Sequence, residues 1–224
     1  MSLSRLNRNQ IVSAIAECRK LGTEAFLRKH GYRLGRYVIK HRGQMLPSKA
    51  IVGVAAGKSA SEFSGGQARL GRILRRLGFV FIKVAVVAIL SCSKAKAATA
   101  RAARDLYEGA LFRKARAFAD KYLDGMVILS ALHGLLSEGD EIAPYDTMLS
   151  DRKGERADWR DSALSAVRGA FDLEETLFVI LCGQKYAEGF IAATDIHTIQ
   201  PFKGVCRGIG DQMSWLDAAL QASS

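Results

Sequence analysis

The chain has 224 residues, of which 49% are hydrophobic and 25% charged, enough to bury one large core or two small ones and too apolar for disorder. Its formal charge of +11 is lopsided: residues 1–80 hold 16 Lys and Arg against 3 acids, and residues 81–224 hold 17 against 19. Four scattered cysteines without CxxC spacing exclude a disulfide framework or a structural zinc, no signal-peptide pattern opens the chain, and the most apolar window, Phe79 to Leu90, contains Lys83 and is too short for a bilayer. The expectation is a cytoplasmic protein without membrane contact.

Residues 1–80 read as a basic, mainly helical module. Asn9 is placed to cap a helix through Ile11, Val12, Ile15 and Ala16 that ends near Gly22, and Thr23 to His30 is a shorter helix stopped by Gly31. Arg36 to Lys40 alternates like a strand, with a turn at Arg42-Gly43 before Gln44 to Leu46. Pro47 and Ser48 open a helix over Lys49 to Ala56. Ser64-Gly65-Gly66 opens another, with Leu70, Ile73, Leu74 and Leu77 inside and Arg69, Arg72, Arg75 and Arg76 around them. So basic a module beside a nearly neutral one is expected to hold a polyanion while its neighbour acts on it. The four arginines, with Lys49, Lys96 and Arg113, are the candidate contacts to DNA phosphates.

Residues 81–224 alternate strand and helix. Val84 to Leu90 and Met126 to Leu129 are unbroken apolar runs separated by an amphipathic helix, Leu111 to Tyr122, as in neighbouring parallel strands buried on both faces. A helix over Ala157 to Phe171, a strand at Leu177 to Leu181, a helix from Lys185 to Ala193, a strand at Ile196 to Ile199 and a helix from Gln212 to Ala222 complete a compact α/β/α layer with a four-stranded parallel sheet. Ligands of such sheets bind beyond the carboxyl ends of the strands. There the chain places Ser91-Cys92-Ser93-Lys94 and Ser130-Ala131-Leu132-His133-Gly134, followed by Pro144-Tyr145-Asp146. The first loop lacks the glycines and trailing Lys-Ser/Thr of a P-loop, which argues against ATP hydrolysis, and the chain has no clustered acids spaced for a nuclease metal. Gln184, Lys185 and Tyr186 begin a helix that can reach the same crevice.

Two resemblances sharpen this reading. Gly22-Thr-Glu-Ala-Phe-Leu27, His30-Gly31-Tyr32, Pro47-Ser-Lys-Ala-Ile-Val-Gly-Val-Ala55, Phe63-Ser-Gly-Gly66 and Leu74-Arg-Arg-Leu-Gly-Phe79 together resemble the N-terminal head domain of certain modification-dependent restriction endonucleases, which implies a DNA-associated domain. Ile89 to Lys96, Asp105-Leu-Tyr107, Leu111 to Lys114, Ile128 to Leu135 and Pro144-Tyr145-Asp146 resemble small bacterial and phage proteins related to the uracil-DNA glycosylase fold. The chain has neither the Gly-Gln-Asp-Pro-Tyr nor the His-Pro-Ser-Pro-Leu loop of uracil-DNA glycosylase, so the likeness does not extend to uracil as substrate. The pairing of the two domains is similar to that of bacterial anti-phage DNA glycosylases that remove glucosylated hydroxymethylcytosine.

The resemblance implies a DNA glycosylase for a modified base of double-stranded, phage-derived DNA, without metal or organic cofactor and without an obligate protein partner. Asp146 and His133 are the expected catalytic pair, the acid orienting water and the imidazole donating to the leaving base. Ser91, Cys92, Ser93, Lys94, Tyr107, Ser130, Gly134, Tyr145 and Gln184 are the expected base-binding set, with Tyr107 or Tyr145 stacking on a flipped nucleotide. A non-catalytic reader of modified DNA and a base transferase or nucleoside-processing enzyme are the alternative readings.

Overall fold

The computed structural model describes residues 3–63 and 66–222. They form two compact units, Met1–Ala85 and Val86–Ser224.

In the first unit a 3-10 turn, Leu3–Arg5, leads into α1 (Arg8–Leu21), α2 (Thr23–His30), β1 (Tyr37–His41), β2 (Gln44–Pro47), α3 (Ser48–Ala55), α4 (Gln67–Arg76) and β3 (Val80–Lys83). Asn7, not Asn9, caps α1. Its side chain accepts the Gln10 N–H at 3.1 Å while Gln10 accepts the Asn7 N–H at 3.0 Å, a reciprocal box that Asn9, already inside the helix, cannot make. β1 and β2 form a hairpin closed by Arg42 and Gly43, both at positive φ (52° and 71°), and β3 lies antiparallel on the other side of β1. This third strand was hidden in the sequence because Val80–Lys83 runs straight into the apolar stretch ending at Leu90. Ile11, Phe26, Ile39, Ile51, Leu70 and Leu74 form the buried centre. Ser64 and Gly65, read as the start of the fourth helix, lie outside the described residues, and Gly66 stands at the N-cap of α4.

The second unit contains β4 (Ala85–Ser91), β5 (Arg101–Ala102), α5 (Ala103–Leu106), α6 (Ala110–Tyr122), β6 (Gly125–Ser130), β7 (Gly134–Ser137), β8 (Glu141–Ile142), α7 (Lys153–Ala170), β9 (Thr176–Ile180), α8 (Gln184–Ala192), β10 (Thr198–Ile199) and α9 (Ile209–Gln221). Its main sheet is five-stranded and mixed, in the order β10-β9-β4-β6-β7, not the four-stranded parallel sheet expected from sequence. β4 and β6 are parallel, as are β9 and β10, but β7 folds back antiparallel on β6, pairing Ser130 with Gly134 and Val127 with Ser137. The reversal needs Gly134, whose φ of 70° belongs to the left-handed region. A four-residue strand with one buried residue leaves little periodic signal, which is why it read as loop.

Alternation divides the two faces of this sheet. Val87, Ile89, Val127, Leu129, Phe178 and Ile180 pack with Ala163, Leu164 and Val167 of α7 and Ala187 and Phe190 of α8. Ala88, Leu90, Met126, Ile128 and Val179 alternate with them and are buried as well, with α6 packed on β6 and α9 on α6. Lys114 and Asp217 form an ion pair between those two helices. Central strands covered on both faces can offer a ligand only their ends.

Candidate active site

The Cys92 N–H donates to the Leu129 carbonyl at 2.9 Å, so the chains leaving β4 and β6 begin side by side. The loop after β4 is held to the segment after α5 by backbone bonds, Glu108 N–H to Ala95 O at 2.9 Å and Ala97 N–H to Leu106 O at 2.8 Å. Ser93 Oγ accepts from the Gly109 N–H at 3.0 Å and donates to Ala95 O at 2.8 Å. A Cβ on residue 109 would stand 2.5 Å from the Ser93 Cβ, so only glycine allows this clasp. The clasped loop sets the Lys96 ammonium 4.2 Å from the Tyr145 ring centroid and 5.9 Å from that of Tyr107.

Ser130, the last residue of β6, organises the other loops. Its hydroxyl accepts the N–H groups of Leu132 at 3.2 Å and His133 at 2.9 Å, which fixes the turn into β7. It also lies 2.8 Å from the Tyr145 hydroxyl, which is 2.9 Å from that of Tyr107. With both lone pairs of Ser130 occupied, its own hydrogen goes to Tyr145. One hydrogen then serves the bond between the two phenols, and one phenolic hydrogen remains beyond those the three hydroxyls exchange. The His133 ring meets Tyr145 edge-on, with centroids 5.2 Å apart. Trp159 of α7 donates from Nε1 to the Ser130 carbonyl at 2.9 Å and meets Tyr186 of α8 edge-on, and the Tyr186 hydroxyl is 3.2 Å from Cys92 Sγ. Burial pushes the hydroxyls of Tyr107, Tyr145 and Tyr186 above their ordinary range, so all three stay protonated at neutral pH.

The expected residues divide by exposure. Ser130 and Tyr107 are 0% and 2% exposed, which makes them positioning groups and removes Tyr107 as a stacking surface for a base. Tyr145, Ser91, Cys92, Ser93 and Gly134 are half-buried around the strand ends, while His133, Lys94, Gln184 and Asp146, the residue after Tyr145, are exposed. Lys185 is engaged elsewhere, with Leu149 O and Asp151 at 2.6 Å each. Trp159 escaped the sequence reading, since a tryptophan in a strongly charged helix carries no local sign of its partner 29 residues back. In the first unit Arg69, Arg72, Arg75 and Arg76 are exposed on α4 as expected, with Arg75 over the Phe81 ring at 5.8 Å. Lys49 is exposed at the start of α3, and Arg113 is exposed on α6.

Residues 87–218, more than half of the chain, match the family described as a family of unknown function, DUF6884. The chain belongs to this family. The matched DUF6884 region holds the whole cluster from Cys92 to Tyr186. Residues 4–83 match the ScoMcrA-like N-terminal head domain, so the first unit is a head of that type set before the DUF6884 region. No curated protein matches the chain. No helix among the described residues is long and apolar enough to cross a membrane.

Proposed function

We propose that the chain is a DNA N-glycosylase whose head holds DNA while the DUF6884 unit releases a modified base from a flipped nucleotide. The observation that carries this reading is the Ser130–Tyr145–Tyr107 hydroxyl chain, with its surplus phenolic hydrogen and the His133 ring beside it, at the carboxyl ends of two parallel strands. In the reaction the C1′–N bond breaks, its electron pair leaves with the base, and positive charge builds on the sugar. A preorganised donor must meet the base and an anion must face the sugar.

The phenol of Tyr145, with Tyr107 donating to it from behind, and the His133 imidazole supply the donors, and burial keeps the phenols protonated. Asp146, next to Tyr145 in the chain, stabilises the sugar cation and orients the water whose oxygen bonds to C1′. The water's proton passes to the carboxylate or to solvent. The substrate proposed is a base modified at its outer edge, such as glucosylated hydroxymethylcytosine of phage DNA, a reading that rests on the sequence resemblance. The exposure of Asp146 favours a second reading, a reader that binds the flipped base without cleavage.

Incubation with T-even phage DNA, with and without glucosylated cytosines, tests the proposal. Free base should appear from the modified DNA, which should stay full length until alkali or an abasic-site endonuclease is added, and borohydride should trap no adduct. Strand breaks without free base would indicate a nuclease; neither product from modified DNA would indicate the reader.

A further inference from the structure

The first unit contains a cleft of about 480 Å³ between the α2–β1 connection, the first turn of α3, Ala60 and Ser61, and the first residue of α4. That volume falls within the range of about 300–1,000 Å³ typical of small-ligand sites. Among the described residues its lining has two cations, Arg33 and Lys49, and no acid. Glu62, next to the lining residue Ser61, is turned onto the Ser59 N–H and hydroxyl at 3.0 and 2.8 Å. Tyr37 lines the cleft, and its ring is backed by Phe81 in a stacked pair, 5.3 Å between centroids and 13° between planes. Ser61 and Gln67 add an exposed hydroxyl and amide. The walls are fixed: Ser48 Oγ donates to Tyr37 O at 2.7 Å and the Tyr32 hydroxyl to Lys58 O at 2.8 Å. Among the described residues neither α3 nor α4 has a side-chain N-cap, so the positive ends of both helices add to the field of the two cations.

A cationic rim, a backed aromatic ring and neutral polar groups together fit neither a bare anion nor an apolar ligand. We propose that this cleft holds one unpaired, phosphate-bearing nucleotide of a DNA strand. Lys49 and Arg33 hold the phosphate, Tyr37 supports the base, and Ser61 and Gln67 face its polar edge. The inference rests on the reading of the head as a DNA holder but not on base release, which its test does not use.

The full chain is titrated, by fluorescence anisotropy, with a labelled duplex, the same duplex carrying a one-nucleotide bulge, and a third whose bulged residue is abasic. The bulge should bind about tenfold tighter than the perfect duplex, the scale of stacking one base on an aromatic ring, and the abasic bulge should lose that gain. Gln67→Ala, at an exposed position, should reduce the preference while leaving affinity for the perfect duplex within about twofold, and Lys49→Gln, which also removes a candidate duplex contact, should weaken binding to the bulged duplex more than to the perfect one. The triple replacement of Arg72, Arg75 and Arg76 by Ala should weaken all three duplexes alike. Absence of the preference, or one that survives both cleft variants, would overturn the assignment, whatever the outcome of the base-release assay.

Discussion

The head displays its chemistry and the DUF6884 unit conceals it. On α4, Arg69, Arg72, Arg75 and Arg76 stand in solvent around a buried stripe of Leu70, Ile73 and Leu74. At the ends of β4 and β6 the organising groups are the opposite: Ser130 and Tyr107 are buried, and Tyr145, Trp159 and Tyr186 are half-buried. Exposed charges act one by one through a long-range field, so substitutions there should be graded and sensitive to salt. A hydroxyl chain at a covered sheet end acts as a unit, so substitutions there should be abrupt and nearly indifferent to salt.

The largest effect expected is at Asp146. Asp146→Asn keeps the size at an exposed position but replaces a charged acceptor by a neutral amide, so fold and DNA affinity should hold while base release falls by about a hundredfold or more. Release and binding measured on one preparation check this, and an active variant would break the assigned role. Tyr145→Phe should come next. It removes the hydroxyl between Ser130 and Tyr107 but keeps the ring under Lys96 and against His133, so release should fall about tenfold to a hundredfold with DNA affinity unchanged. If Tyr145→Phe and Ser130→Ala combined are no worse than the more severe single change, the hydroxyls act as one chain; additive losses would show them independent.

The same contrast decides how much the sequence could reveal. Helices α2, α4 and α6 and strands β4 and β6 were legible, because each depends on local periodicity and on breakers such as Gly31. The strand-end loops were also legible as a location, since two apolar runs ending in polar residues mark a sheet edge whatever the neighbours. Partnerships across the chain were not. Nothing local to Tyr107 says that its hydroxyl meets Tyr145, 38 residues on, or that Trp159 reaches back to the Ser130 carbonyl. The antiparallel β7 was missed for a related reason: its direction is set by one left-handed glycine and a serine accepting two N–H groups, chemistry that a polar turn also satisfies. Asn7 was displaced by Asn9 because both are good caps and only the reciprocal bond to Gln10 separates them.

The head should respond by degrees. If α4 lies on the DNA backbone, the plot of log affinity against log salt has a slope of about −0.9 per phosphate neutralised. Replacing Arg72, Arg75 and Arg76 by Ala should lower affinity and flatten the slope by up to about 0.9 for each phosphate no longer neutralised, with base release at saturating protein unchanged. An unchanged slope would move the phosphate-binding surface away from α4, and a drop in release at saturation would contradict the division of labour between the units.

The smallest effect compares one buried thiol from each unit. Burial raises the pKa of Cys18 in α1 from 9.0 to about 11 and that of Cys182, just beyond β9, from 9.0 to about 12. In the unfolded chain both ionise near 9.0, so above that pH the unfolded state binds fewer protons than the folded one. Their contribution to stability is therefore complete below pH 9 and is lost as pH rises toward the folded values. Between about pH 8.5 and 9.5 ordinary tyrosines are still largely protonated, so the slope there belongs mainly to thiols. Higher up, Tyr32 in the first unit and Tyr107, Tyr145 and Tyr186 in the second, all raised by burial, add to the decline and should make the second unit the more alkali-sensitive. Urea midpoints of the wild type, Cys18→Ala and Cys182→Ala, measured from about pH 8 to about pH 10.5, check this. Each variant starts lower because of its small cavity, but its midpoint should fall less with pH, and equal slopes in all three proteins would mean that the thiols ionise alike in the folded and unfolded chain.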